Sequence, residues 1–166
     1  MQQLRQHGGR HAFVLVHGYQ GNSYDMHLFR NVLAVHYSDA AFLCSVSNEG
    51  MTDTSIDDMA ARLAREVADF VAELGGAQRV ARLSFVAHSL GGLIVRASLA
   101  FAPMRALVPK LHTLVTLASP HCGYLFSESR LLRSGLAMMQ RWTNSTCLQQ
   151  VRFGPAFNFF HSLFRC

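Results

Sequence analysis

With 166 residues, half of them apolar, and a formal net charge of +5, the chain is the length of one domain and can bury a substantial core. That excludes a disordered segment and a pair of domains. The charge is uneven: residues 1–89 hold seven basic and nine acidic side chains, residues 90–166 eight basic and one acidic. A basic half suits an anionic lipid surface, although a missing acidic segment is the plainer account. The interleaved basic and aromatic residues of a nucleic-acid binder are absent, so no nucleic-acid partner is expected.

No apolar run approaches the roughly 18 residues of a membrane span. The opening MQQLRQHGGRHAFVLVHG has no apolar stretch long enough for a secretory leader. The expectation is an intracellular, cytoplasmic protein. Cys44, Cys122, Cys147 and Cys166 show no zinc-type or redox-type spacing, which points to free thiols. The histidines are scattered and no glycine loop carries a phosphate-binding lysine, so neither metal nor cofactor is expected.

Residues 1–11 read as a flexible N-terminal segment. HAFVLVHG then reads as a buried strand ending in a glycine loop, and Asp25 to Val35 as a helix. DAAFLCSV is a second strand. In TSIDDMAARLAREVADFVAELGG, the residues Ile56, Met59, Leu63, Val67, Phe70, Val71 and Leu74 fall on one helical face. Thr54 or Ser55 caps its start, with Asp57 and Asp58 in the first turn and Gly75-Gly76 at its stop; Asp53 reads as part of the same cap. ARLSFVAH is a third strand, GGLIVRASLAFA a helix, LHTLVTLASP a fourth strand, and SESRLLRSGLAMMQRW a helix of mixed face. Strands alternating with helices at this spacing imply right-handed crossovers and a parallel sheet. The fold class is α/β, with a mostly parallel sheet of about four strands and helices on both faces.

One stretch, FVAHSLGG, carries chemistry. A serine exposed at the top of such a sheet needs a sharp strand-to-helix turn, with small residues two positions either side. Ala87, Ser89 and Gly91 supply this, and Gly92 allows further close packing; Ala87 departs from the usual glycine by one methyl. Between a buried strand and a helix, the string marks Ser89 as a candidate nucleophile. The plainer alternative is an ordinary helix-capping serine. Ester hydrolysis also needs backbone N–H groups aimed at the developing oxyanion. One is expected from Leu90, the residue after the serine. The other is expected from HGYQGN after the first strand: Tyr19 first, Gln20 second, with His17-Gly18 opening the loop. For His17-Gly18 a simple strand-ending turn is the alternative. His88, beside the serine, reads as packing or bonding locally.

Together, VLVHGYQGNSYDMHLFRN, SFVAHSLGGLIVRA, LHTLVTLASPHCGYLFS and CLQQ resemble the eukaryotic putative serine esterase family, lipase-like α/β-hydrolases often found as the C-terminal domain of larger proteins. The resemblance covers residues 12–150. It implies an incomplete α/β-hydrolase fold, hydrolysis of carboxylic esters, lipid esters first, Ser89 as nucleophile and HGYQG as the oxyanion loop.

A serine nucleophile needs a base and an acid to orient it, in the chain order Ser, Asp or Glu, His. Beyond Ser89 there is no aspartate, one glutamate (Glu128), and the histidines His112, His121 and His161. His112 begins a strand and reads as structural. His121, in SPHCG at the sheet's active edge, is a weak candidate base without an acid, and Glu128 with His161 satisfies the order alone. Residues 151–166 form a divergent tail rich in phenylalanine, where Phe157, Phe159, Phe160 and Phe164 offer a membrane-contact reading. Met138, Met139 and Trp142 read as a buried helix face, or as a lipid-facing lid. The expectation is a chain that ends before the acid and base. Three functions stay open: an esterase working through an acyl-enzyme, an acyltransferase using the same residues, and an inactive module that binds lipid or protein. The fourth strand also promises an open, association-prone sheet edge.

Overall fold

The computed structural model describes residues 9–122 and 145–153. Strand β1 (Arg10–Val16) leads through a 3-10 turn (Ser23–Met26) into α1 (His27–His36) and β2 (Ala41–Cys44). Then follow α2 (Ile56–Glu73), β3 (Val80–His88), α3 (Leu90–Ser98), β4 (Leu111–Leu117) and a last helix, α4 (Thr146–Phe153). The sheet order is β2-β1-β3-β4, and every pair is parallel. The expected helix over 127–142, Glu128, His161, the Met138-Met139-Trp142 group and the phenylalanines of the tail all lie outside the described residues.

β1 and β3 are apolar on both faces because both faces are covered. Alternate residues point opposite ways. Ala12, Val14, Val16, Leu83, Phe85 and Ala87 join a core with α2, α3 and α4; Phe13, Leu15 and Val86 join a smaller cluster with Met26 and, at its margin, Leu33 of α1. Helices therefore cover both faces.

α2 is held at both ends. Ser55 accepts a hydrogen bond from the Asp58 N–H, with Asp57 and Asp58 in the first turn. Thr54 is not the cap: its hydroxyl donates to the Met51 carbonyl. At the other end Gly76 donates to the Val71 carbonyl at 2.9 Å, and Gly75 and Gly76 sit at φ 96° and 92°. Ile56, Met59, Leu63, Val67 and Val71 are buried as the helical period requires; Phe70 and Leu74 lie at the stripe's margin. Ser55→Ala removes the cap and is expected to cost about 1 kcal/mol. Thermal unfolding followed by circular dichroism should show it as a Tm lower by about 3 °C.

Three elements differ from expectation. The helix expected from Asp25 begins as a 3-10 turn, because Asn22 and Asp25 form a reciprocal cap there. β2 stops at Cys44, where Glu66 turns the chain away by accepting from the Val46 and Ser47 N–H groups at 2.8 and 3.3 Å. α4, which no periodicity in the sequence announced, runs through residue 150 and buries Cys147, Leu148 and Val151. On β4, Leu114 and Val115 are 40% and 41% exposed, whereas their β3 partners Phe85 and Val86 are 1% and 8% exposed. Among the described residues β4 has no neighbour on its far side.

Candidate active site

β3 ends at His88 and α3 begins at Leu90, leaving Ser89 alone to make the turn at φ 51°, ψ −122°. A residue with a Cβ avoids this backbone region, and holding one there costs of order 1–3 kcal/mol. The Ser89 N–H donates to the Leu117 carbonyl at 2.8 Å, and its own carbonyl accepts from Gly92 at 3.2 Å. A helix-capping serine has extended backbone and a hydroxyl that accepts from the first turn. Ser89 has neither, so the capping alternative does not hold. Ser89 is half-buried where β3 ends, and its side chain makes no cap bond to α3.

The small neighbours are required by close approach. A Cβ on Gly91 would lie 2.6 Å from the His17 carbonyl oxygen and 2.7 Å from that of Val16. A Cβ on Gly92 would strike the Ser119 side chain. Ala87 is fully buried, its single methyl accommodated in the core.

The loop after β1 reaches the serine. A Cβ on Gly18 would stand 3.0 Å from the Ser89 Cβ and 3.2 Å from the His88 carbonyl oxygen. The Gly18 carbonyl accepts from the Gly21 N–H at 3.1 Å and from His17 Nδ1–H at 2.9 Å. That fixes the peptide plane, and in a trans peptide the Tyr19 N–H points opposite to the Gly18 carbonyl. Gln20, at φ 52°, donates its N–H to Thr52 Oγ1 at 2.9 Å, which removes it as the second candidate donor. Leu90, as first residue of α3, has no intrahelical acceptor for its N–H. His17 is 2% exposed, and its Nε2 is buried without a partner among the described residues. His88 is exposed and its ring lies beside Gly18.

His121 is committed elsewhere. Arg96 donates to its Nδ1 at 3.1 Å, so the proton sits on Nε2, which donates to Thr116 Oγ1 at 3.0 Å. Burial, then the Arg96 guanidinium, push its pKa below the ordinary imidazole value. A triad base needs the opposite arrangement, with Nδ1–H toward an acid and an Nε2 lone pair toward the serine. His112 is exposed, bonds Thr113 Oγ1 at 2.9 Å and meets the His11 ring edge-on with the centroids 5.4 Å apart. No cluster of His, Cys, Asp or Glu able to hold a metal occurs among the described residues. No described helix is long and apolar enough to cross a membrane.

Sequence reasoning misread one residue here. Asp53 does not cap α2: its Oδ1 accepts from the Tyr19 hydroxyl at 2.6 Å. The two positions are 34 residues apart, and no spacing rule connects them.

Among solved structures, the fold is similar to an extracellular α/β-hydrolase from a Paenibacillus species, at 10% identity and TM-score 0.51, over 81% of this chain and 52% of that one. It is also similar to phospholipase PlaB from Legionella pneumophila, at 22% identity and TM-score 0.53, over 79% of this chain and 28% of that one. The chain thus spans about half, or less, of the length of these structures. The α/β-hydrolase fold is what they share with it. The sequence itself matches the family described as putative serine esterase (DUF676) from residue 6 to residue 155, taking in the Ser89 turn, the 17–21 loop and α4, and the chain belongs to that family.

Proposed function

We propose that this chain carries the nucleophile and oxyanion hole of a serine hydrolase acting on carboxylic esters, lipid esters first among them. The observation that supports this best is the strained turn at Ser89, whose hydroxyl serves no capping role and whose Cβ lies against Gly18 of the 17–21 loop. In this reading Ser89 Oγ bonds to the ester carbonyl carbon while its proton passes to a base. The oxyanion is held by the Leu90 and Tyr19 N–H groups. The C–O bond to the alcohol breaks, the alcohol leaves with a proton, and water then releases the acid from the acyl-enzyme. The phospholipase among the structural neighbours favours a lipid ester as substrate. A cytoplasmic location goes with this reading, as does contact between the basic C-terminal half and anionic lipid.

The base and its acid are not among the described side chains at Ser89, and the His121 tautomer favours a second reading, a non-catalytic α/β-hydrolase module. Labelling with a fluorophosphonate probe separates the two. The expected result is labelling of the wild-type chain that disappears in Ser89→Ala. No labelling from a folded, monodisperse sample would leave the module. Slow labelling that Ser89→Ala abolishes still counts for the nucleophile.

A further inference from the structure

The bonds within the 17–21 loop fix the Gly18 peptide, and the rest of the loop is held from outside. Gln20 is in the left-handed region, and the loop belongs to neither a strand nor a helix. Its support comes from two consecutive residues between β2 and α2. Thr52 Oγ1 accepts the Gln20 N–H at 2.9 Å, and Asp53 Oδ1 accepts the Tyr19 hydroxyl at 2.6 Å. Thr52 is 2% exposed, and the Tyr19 ring packs at the edge of the main core.

The same two residues are gripped from behind. The Thr52 carbonyl accepts from Cys147 Sγ at 2.9 Å, and the Asp53 carbonyl accepts from the Thr146 N–H at 3.0 Å. Gln150 Oε1 accepts the Ile56 N–H at 2.7 Å just beyond. Side chains reach forward to the loop while carbonyls reach back to the first turn of α4. We propose that Thr52 and Asp53 are positioning residues for the oxyanion loop, and that α4 holds them in register. The inference rests on the reading of Ser89 and Tyr19 given above.

A purely structural role would appear in stability, and Asp53 is exposed, where substitutions change little. A positioning role appears in rate, because a displacement of about 1 Å at a site costs about a hundredfold. Asp53→Ala and Tyr19→Phe should each slow the limiting rate of fluorophosphonate labelling about a hundredfold, with the half-saturating probe concentration and Tm unchanged. The double variant should lose far less than the product of the two single losses, since both break the Tyr19–Asp53 bond. Asp53→Asn keeps an acceptor oxygen and should recover most of the rate.

Amide hydrogen exchange over residues 17–22 gives a readout that needs no reactive serine. It should become about tenfold faster in Asp53→Ala, with the α3 peptide unchanged. Thr146→Pro should shift it in the same direction, because it deletes the N–H held by Asp53 at a helix position that tolerates proline. A wild-type chain that does not label would overturn the hydrolase reading alone, and exchange would then decide this one. Unchanged exchange in both variants, or additive rate losses in the double variant, would overturn the positioning role.

Discussion

Gly91→Ala is expected to destabilise the domain by about 3 kcal/mol, near the upper end of what overpacking a core costs. The added methyl has nowhere to go. Its Cβ would meet the carbonyl oxygens of His17 and Val16 at 2.6 and 2.7 Å, and both atoms are backbone. β1 cannot retreat, because it is hydrogen-bonded to β2 on one side and β3 on the other. α3 cannot retreat either, because Leu93, Ile94 and Val95 are buried against the sheet. At this length the loss corresponds to a Tm lower by about 10 °C, read by thermal unfolding. Gly92→Ala should cost less, since it meets the Ser119 and Thr116 side chains beside the exposed β4 strand. A Gly91→Ala protein within about 2 °C of wild type would mean that α3 does not rest on the end of β1.

That close approach was readable in the sequence, and other features were not, for reasons that differ. β1 and β3 announce themselves because interior parallel strands bury both faces and leave unbroken apolar runs. α2 does so because its buried stripe follows the helical period over 18 residues with a cap and a stop. AHSLGG is legible because steric demand at one sharp turn acts over neighbouring positions. α4 is short and has little propensity signal; it is a helix because docking Cys147, Leu148 and Val151 rewards it. The Tyr19–Asp53 and Gln20–Thr52 bonds join segments that meet only after the sheet forms. His121 was legible as a histidine at the right end of the sheet. Its tautomer depends on Arg96 of α3, 25 residues earlier, and so does its failure to serve as the base in the described arrangement.

Ser89→Gly is expected to abolish labelling and to raise stability together. Three residues other than glycine hold positive φ among the described ones: Gln20, Ser89 and Ala118. Each follows the C-terminal end of a strand, β1, β3 or β4 respectively, the edge where open α/β sheets place their ligands. At Ser89 the strain costs of order 1–3 kcal/mol. Glycine relieves it but gains freedom in the unfolded chain, which returns roughly 0.5–1 kcal/mol. The net expectation is about 1 kcal/mol of stabilisation, a Tm higher by about 3 °C. Ser89→Ala keeps the Cβ and the strain, so it should lose labelling with Tm unchanged. The pair separates what the hydroxyl does from what the backbone endures. If Ser89→Gly instead melts lower than wild type, the hydroxyl contributes to the fold and the turn is not strained for function. If it melts higher, the chain maintains an unfavourable backbone around a hydroxyl that its folding does not need, which is what the proposed reaction at Ser89 requires.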